Sequence, residues 1–117
     1  PNDNVYDLLI CKDVLEHVHV GDIPGVLQNF RRKSNQFFFT IPLGDNDRFR
    51  IREYEVDITH VTKKDEDWWI SMFEQEGLRL KEFSYSLGSI KKKWVEEFPY
   101  GNGFFILESV NDITRQK

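Results

Sequence analysis

A single cysteine, Cys11, stands in 117 residues, so the chain has no internal disulfide. With no signal peptide in the residues shown, a reducing, cytoplasmic setting is expected. No apolar run reaches the 18 residues that a helical membrane span needs, and a membrane partner is not expected. A surplus of positive charge is missing too. The formal net charge is −4, where a phosphate-backbone partner usually calls for a concentrated basic surface, so no nucleic-acid partner is expected. The two dense basic clusters have local readings. Arg31-Arg32-Lys33 falls where a helix should end and cations suit the helix dipole, and Lys91-Lys92-Lys93 reads as a solvated face. Internal repeats, low-complexity tracts and inter-domain linkers are likewise absent.

What is present is an ordinary globular balance, 39% hydrophobic, 15% aromatic and 31% charged, too apolar for disorder. At 14.0 kDa the chain is one domain at most, able to bury about two-thirds of its unfolded surface.

The stretch from Val5 to Val18 organises the rest. An apolar run, Leu8-Leu9-Ile10, leads through Cys11 and Lys12 into Asp13, and that change of polarity marks a buried strand giving way to a functional loop. Asp22 then reads as an N-cap with Pro24 in the first turn. Ile23, Leu27 and Phe30 share one face, which predicts a helix over 23–33. Gln36-Phe-Phe-Phe-Thr-Ile-Pro42 is a nearly continuous apolar run ended by proline, the pattern of a strand buried on both faces of a parallel sheet. Strand, helix and strand make a crossover that should close right-handed.

Regular periodicity fades over 43–60, where Arg48, Arg50 and Arg52 alternate with Phe49 and Ile51. An edge strand is one reading, but a long loop after a parallel strand is where such sheets keep specificity, so the segment is placed on the substrate side. Thr62-Lys-Lys-Asp65 resembles a capping box and predicts a helix over 63–76, with Trp69, Met72 and Phe73 on one face and Gly77 as its left-handed stop. Between 78 and 87 the apolar positions switch from even (Leu78, Leu80) to odd (Phe83, Tyr85, Leu87), and a period of two changes parity only by a bulge near Lys81-Glu82 or a change of neighbours. A short helix over 90–98, a turn at 99–103, a last strand over 104–110 and a frayed tail from Asp112 complete the reading.

Several of these segments, in this order, resemble class I S-adenosylmethionine (SAM) dependent methyltransferases. Tyr6-Asp7, Leu8-Leu9-Ile10 and Val14-Leu15-Glu16-His17 resemble the family's fourth strand and following loop. Thr40-Ile41-Pro42 resembles the end of its fifth strand, although Lys33-Ser34-Asn35 stands where Pro-Gly-Gly is usual. The segment ending in Thr59-His60-Val61 resembles one that precedes a helix in small-molecule members. No Gly-x-Gly-x-Gly turn occurs in the chain, and in the family that turn lies upstream of this region.

The resemblance therefore implies the C-terminal half of a Rossmann-like α/β domain. It has a mixed sheet of about four strands with flanking helices, and an antiparallel last strand inserted beside the fifth. It implies SAM as cofactor, bound weakly or not at all by these residues alone, and methyl transfer to a small molecule or sugar. By the switch-point rule Cys11, Lys12 and Asp13 would line the cofactor crevice. His60, whose ordinary pKa is near neutrality, is the candidate base, with Tyr54, Thr59 and Trp68 as acceptor contacts. Glu16, His17 and His19 meet no recognised metal signature and lack a fourth nearby ligand, so no metal is assigned. Because the family's neighbour to the strand at 7–11 is missing, that free apolar edge is expected to pair with another chain as a homodimer. Two other classes stay open: a non-catalytic scaffold or interaction module, and a metal hydrolase using the histidines.

Overall fold

In a computed structural model of the chain, described for residues 6–110, strand order follows from how each connection is made. Strand β1 (Leu9–Lys12) crosses through helix α1 (Ile23–Lys33) to β2 (Gln36–Pro42), and the two strands run parallel, Leu9 beside Phe37 and Lys12 beside Thr40. Helix α2 (Glu66–Gln75) leads to β5 (Leu78–Ser84), and a short helix α3 (Lys92–Glu97) to the last strand β6 (Asn102–Ser109). Strand β6 lies antiparallel between β2 and β5, giving a four-stranded mixed sheet in the order β1-β2-β6-β5. This is the expected topology, inserted last strand included. Val5 and the tail from Asp112 lie outside the described residues.

One face of the sheet carries the core. Phe37 and Phe39 of β2 and Phe105 and Leu107 of β6 are fully buried beneath Ile23 and Leu27 of α1 and Trp69 and Phe73 of α2. The Phe73 ring meets Phe39 at 5.4 Å and Phe105 at 5.3 Å. Each such side chain contributes about 1.5–3 kcal/mol on leaving water, so this aromatic cluster is what holds α2 to the sheet. On the other face, Phe38 and Ile106 are half-buried and Ile10 is 62% exposed.

The parity change in β5 is a bulge. Leu80 pairs with Leu107 and Glu82 with Ile106, leaving Lys81 as the extra residue, which keeps Leu78, Leu80 and Phe83 all on the core side. Gly77 ends α2 at φ +85°, and a Cβ there would stand 2.6 Å from the Arg31 guanidinium.

Three local expectations are corrected. Helix α2 starts at Glu66 instead of 63, because its cap is the Asp65 carboxylate, which accepts the Trp68 N–H at 2.8 Å. The Thr62 hydroxyl donates instead to the Val18 carbonyl at 2.6 Å. Asp22 precedes α1, but its side chain makes no capping bond, since a 3-10 turn (Val20–Asp22) already holds it in helical geometry. The segment after β2 is not simply loop. Strands β3 (Gly44–Asp45) and β4 (Arg48–Phe49) form a hairpin whose turn residues Asn46 and Asp47 both have positive φ, as a type I′ turn requires. The alternation expected there is real, with Phe49 and Ile51 buried.

Candidate functional site

The carboxyl ends of β1 and β2 open onto a cluster of ionisable side chains. Asp13, just past β1, has φ +55°, donates its N–H to the Thr40 carbonyl (2.9 Å) and accepts from the Thr40 hydroxyl (3.1 Å). Fully buried Leu15 anchors the 3-10 turn Leu15–His17, which aims Glu16 inward and His17 outward. The Glu16 carbonyl takes the N–H groups of Val61 and Thr62 at 2.9 and 3.0 Å, drawing the loop after β4 over the same strand end. Farther along that loop, Glu55 accepts the Phe49 N–H (2.6 Å) and Lys63 Nζ (3.0 Å), so the 3-10 turn Arg52–Val56 is tied to the hairpin.

These bonds bring His17 and His60, 43 positions apart, to 4.6 Å between ring centroids. Their protons can be placed from their partners. His60 Nδ1 lies 2.7 Å from the Tyr54 carbonyl, which only accepts, so Nδ1 carries a hydrogen and Nε2 is the nitrogen left without a hydrogen bond among the described residues. His17 Nδ1 faces the Thr59 carbonyl (3.1 Å) and hydroxyl oxygen (3.0 Å). That hydroxyl donates to Asp57 at 2.6 Å, so it too acts as acceptor, His17 Nδ1 donates, and His17 Nε2 is left without a hydrogen bond among the described residues. His17 Nε2 stands 3.6 Å from a Glu16 carboxylate oxygen, and His60 Nε2 is 3.6 Å from Asp57 Oδ2.

Glu16 is 1% exposed, and its Oε1 meets no hydrogen-bond donor among the described residues. Burial pushes its carboxyl up to about 7, with the Asp13 and Asp57 carboxylates adding to the rise and Lys91 opposing it. Lys91 makes its own bonds elsewhere: its Nζ bonds Asp13 (2.9 Å) and the Asn102 side-chain oxygen (2.6 Å), and lies over the Tyr54 ring.

The sequence-assigned residues divide into two places. Tyr54, Thr59 and His60 come together with Glu16 and His17, and Asp13 joins them through Lys91. Lys12 is exposed at the end of β1, while Cys11 points into the core. Burial, then the Glu16 and Asp13 charges, push the Cys11 thiol up to about 12, so Cys11 can offer the crevice its backbone but no thiolate nucleophile. Trp68 stands apart. It packs on Trp69 and lines a separate surface pocket of about 400 Å³ with Gly44–Asp47 and Lys63–Asp65. His19 is outside the cluster as well, and His60 takes the place it was considered for. The sequence reading missed Lys91, whose side chain is 5% exposed where a solvated face was expected; its left-handed backbone (φ +53°) turns it inward while Lys92 and Lys93 remain exposed.

No protein-family model matches the chain, and no curated protein does. Solved structures do. A complex of the Haloferax volcanii Trm112 methyltransferase activator with a methyltransferase matches at TM-score 0.70 and 12% identity, over 94% of this chain and 57% of that one. The mitomycin 7-O-methyltransferase MmcR matches at 0.66 and 15%, over 94% and 31%. A SAM-dependent methyltransferase from Archaeoglobus fulgidus matches at 0.60 and 12%, over 92% and 61%. The fold is that of class I SAM-dependent methyltransferases. The chain spans less than two-thirds of the length of each of these three neighbours, and at such identities the likeness is one of fold. Among the described residues no helix is long and apolar enough to cross a membrane.

Proposed function

We propose that this chain is the C-terminal half of a SAM-dependent methyltransferase domain acting on a hydroxyl of a small molecule or sugar. Cys11, Lys12 and Asp13 would border the donor, and the loop at 52–62 the acceptor. The observation that carries this reading is the convergence of two imidazoles, each with its Nδ1–H spent on a backbone carbonyl and its Nε2 without a hydrogen bond among the described residues, at the carboxyl end of the parallel pair β1 and β2. In sheets of this kind ligands bind beyond the carboxyl ends of the strands, at the point where strand order reverses.

Methyl transfer to oxygen asks for alignment and for removal of one proton. Bound SAM would supply the methyl group as a sulfonium electrophile and leave as S-adenosylhomocysteine, while the histidine pair would take the acceptor's hydroxyl proton and so free an oxygen lone pair for the new bond. His60, held by Tyr54 and by the edges of the Phe49 and Tyr54 rings at 5.4 and 5.7 Å, is the more rigid of the pair.

The test is kinetic, in the full-length protein that carries this chain. His60→Ala should lower kcat by about 10²–10⁴-fold, the usual worth of a positioned proton acceptor, with little change in KM for SAM. Unaltered kcat and acceptor KM would remove His60 from the mechanism. A non-catalytic scaffold of the same fold would transfer no methyl group in either form.

A further inference from the structure

The buried Glu16 carboxylate and the two imidazole Nε2 nitrogens form a constellation that a proton acceptor alone does not need. We propose that a Glu16 carboxylate oxygen, His17 Nε2 and His60 Nε2 bind one divalent transition-metal ion. The inference deepens the reading of this site as the acceptor side of a methyl-transfer crevice, and rests on it for the ion's role but not for its binding.

The ligand atoms of these three residues all lie within 4.8 Å of one another. Atoms bonded to one tetrahedral ion at about 2.0–2.2 Å sit roughly 3.4 Å apart, so modest side-chain rotation closes the set. Both histidines already have the supporting bonds of metal ligands, each Nδ1–H fixed by a backbone carbonyl, Thr59 for His17 and Tyr54 for His60. The Glu16 side chain supplies independent support. Glu16 is 1% exposed and its Oε1 meets no donor among the described residues, a cost that a cation bound to the carboxylate would offset. Lys91 does not fill that role, being bonded to Asp13 and Asn102. His17, with a side chain 37% exposed, gives an ion a way in.

Donor chemistry selects the metal. Two imidazoles and one carboxylate suit zinc, iron, cobalt or nickel, whereas magnesium and calcium favour all-oxygen sites. Three protein ligands leave a fourth position open. An acceptor hydroxyl there would have its pKa lowered and would lose its proton to water before the oxygen attacks the sulfonium methyl. With the ion bound His60 aids the loss of that proton as a ligand, and without it as the proton acceptor, so His60→Ala lowers kcat in either case.

The experiment is calorimetric titration of the chelator-stripped chain with Zn²⁺, and with Mg²⁺ in parallel. One Zn²⁺ should bind per chain, with no saturable Mg²⁺ site. Glu16→Gln and His60→Ala should each weaken binding by more than the ~10–100-fold that loss of a supporting residue costs, and His19→Ala should not. Imidazole ¹⁵N spectra of the unsubstituted chain make the test independent of whether the variants fold. Zn²⁺ should move the Nε2 resonances of His17 and His60 and leave those of His19. Failure to bind, or binding that leaves both Nε2 resonances in place, overturns the proposal. Methyl transfer by metal-stripped protein would end the ion's proposed role and leave the methyltransferase reading standing; zinc binding without any transfer would do the reverse.

Discussion

Asp13 and Lys91 both adopt left-handed backbone geometry, and each holds the other there: the Asp13 carboxylate takes Lys91 Nζ at 2.9 Å from a position 78 residues away. Non-glycine residues at positive φ persist where their surroundings over-determine them, here by Thr40, Asn102 and the Tyr54 ring. Lys91→Met should therefore cost about 1–3 kcal/mol, the desolvation penalty of a partner left unpaired, whereas Lys93→Met on the exposed side should stay within about 0.5 kcal/mol. Urea denaturation of the two variants measures both, and equal midpoints would refute the buried role of Lys91. A run of three lysines gives no sign of which one turns inward. That is set by the single positive φ at Lys91, a tertiary outcome, and so this member of the site was not legible in the sequence. His60 was legible from its ring chemistry and its loop. Its proximity to Glu16 and His17 was not, because it depends on the Glu16 carbonyl capturing Val61 and Thr62.

Elements that read well from sequence are those whose apolar period settles both type and limits. Helix α1 and strand β2 fall where predicted, at Ile23–Lys33 and Gln36–Pro42, and the bulge in β5 follows from side-chain parity alone. The start of α2 misled because Thr62 and Asp65 are both cap residues, and only the fold shows that the Thr62 hydroxyl is taken by Val18. Asp65→Ala should cost about 1 kcal/mol of stability, as loss of a cap does; a value near zero would return the helix start to 63. Arg50 ties three elements together, pairing with Asp45 of β3 (2.7 Å) and Glu66 of α2 (2.6 Å) and donating to the Tyr100 carbonyl (2.9 Å), while the Tyr85 hydroxyl also donates to Glu66. Burial opposes ionisation of Glu66, but the bonds from Arg50 and Tyr85 outweigh it and hold its carboxyl down to about 2. A depressed folded-state pKa means that this contribution is complete above the ordinary value of 4.5 and is lost as pH falls toward about 2. Carboxyl ¹³C titration should find Glu66 ionised at pH 3 in the unsubstituted chain and protonated there in Arg50→Met. Identical curves would contradict the network.

At the scale of the whole molecule, the sheet is covered on one face only among the described residues. Among the described residues strand β1 ends the strand order, with Leu8 just before it 50% and its own Ile10 62% exposed. A free edge next to exposed apolar side chains is an association site, and two-fold pairing between copies is the commonest way to cover one. Light scattering of the chain at micromolar concentration should therefore give the mass of a dimer, and Ile10→Lys should return it to monomer; a stable monomer at the start would end this expectation. On the proposed reading the remainder of a methyltransferase domain would pack against this edge and face, and these residues alone should hold the cofactor weakly. The most direct test of that account is amide chemical-shift mapping of the chain with S-adenosylhomocysteine raised to millimolar concentration. Small, progressive shifts confined to Cys11, Lys12, Asp13 and the turn that follows are the predicted result. Saturation at micromolar ligand, or shifts centred on the Trp68 pocket, would contradict it.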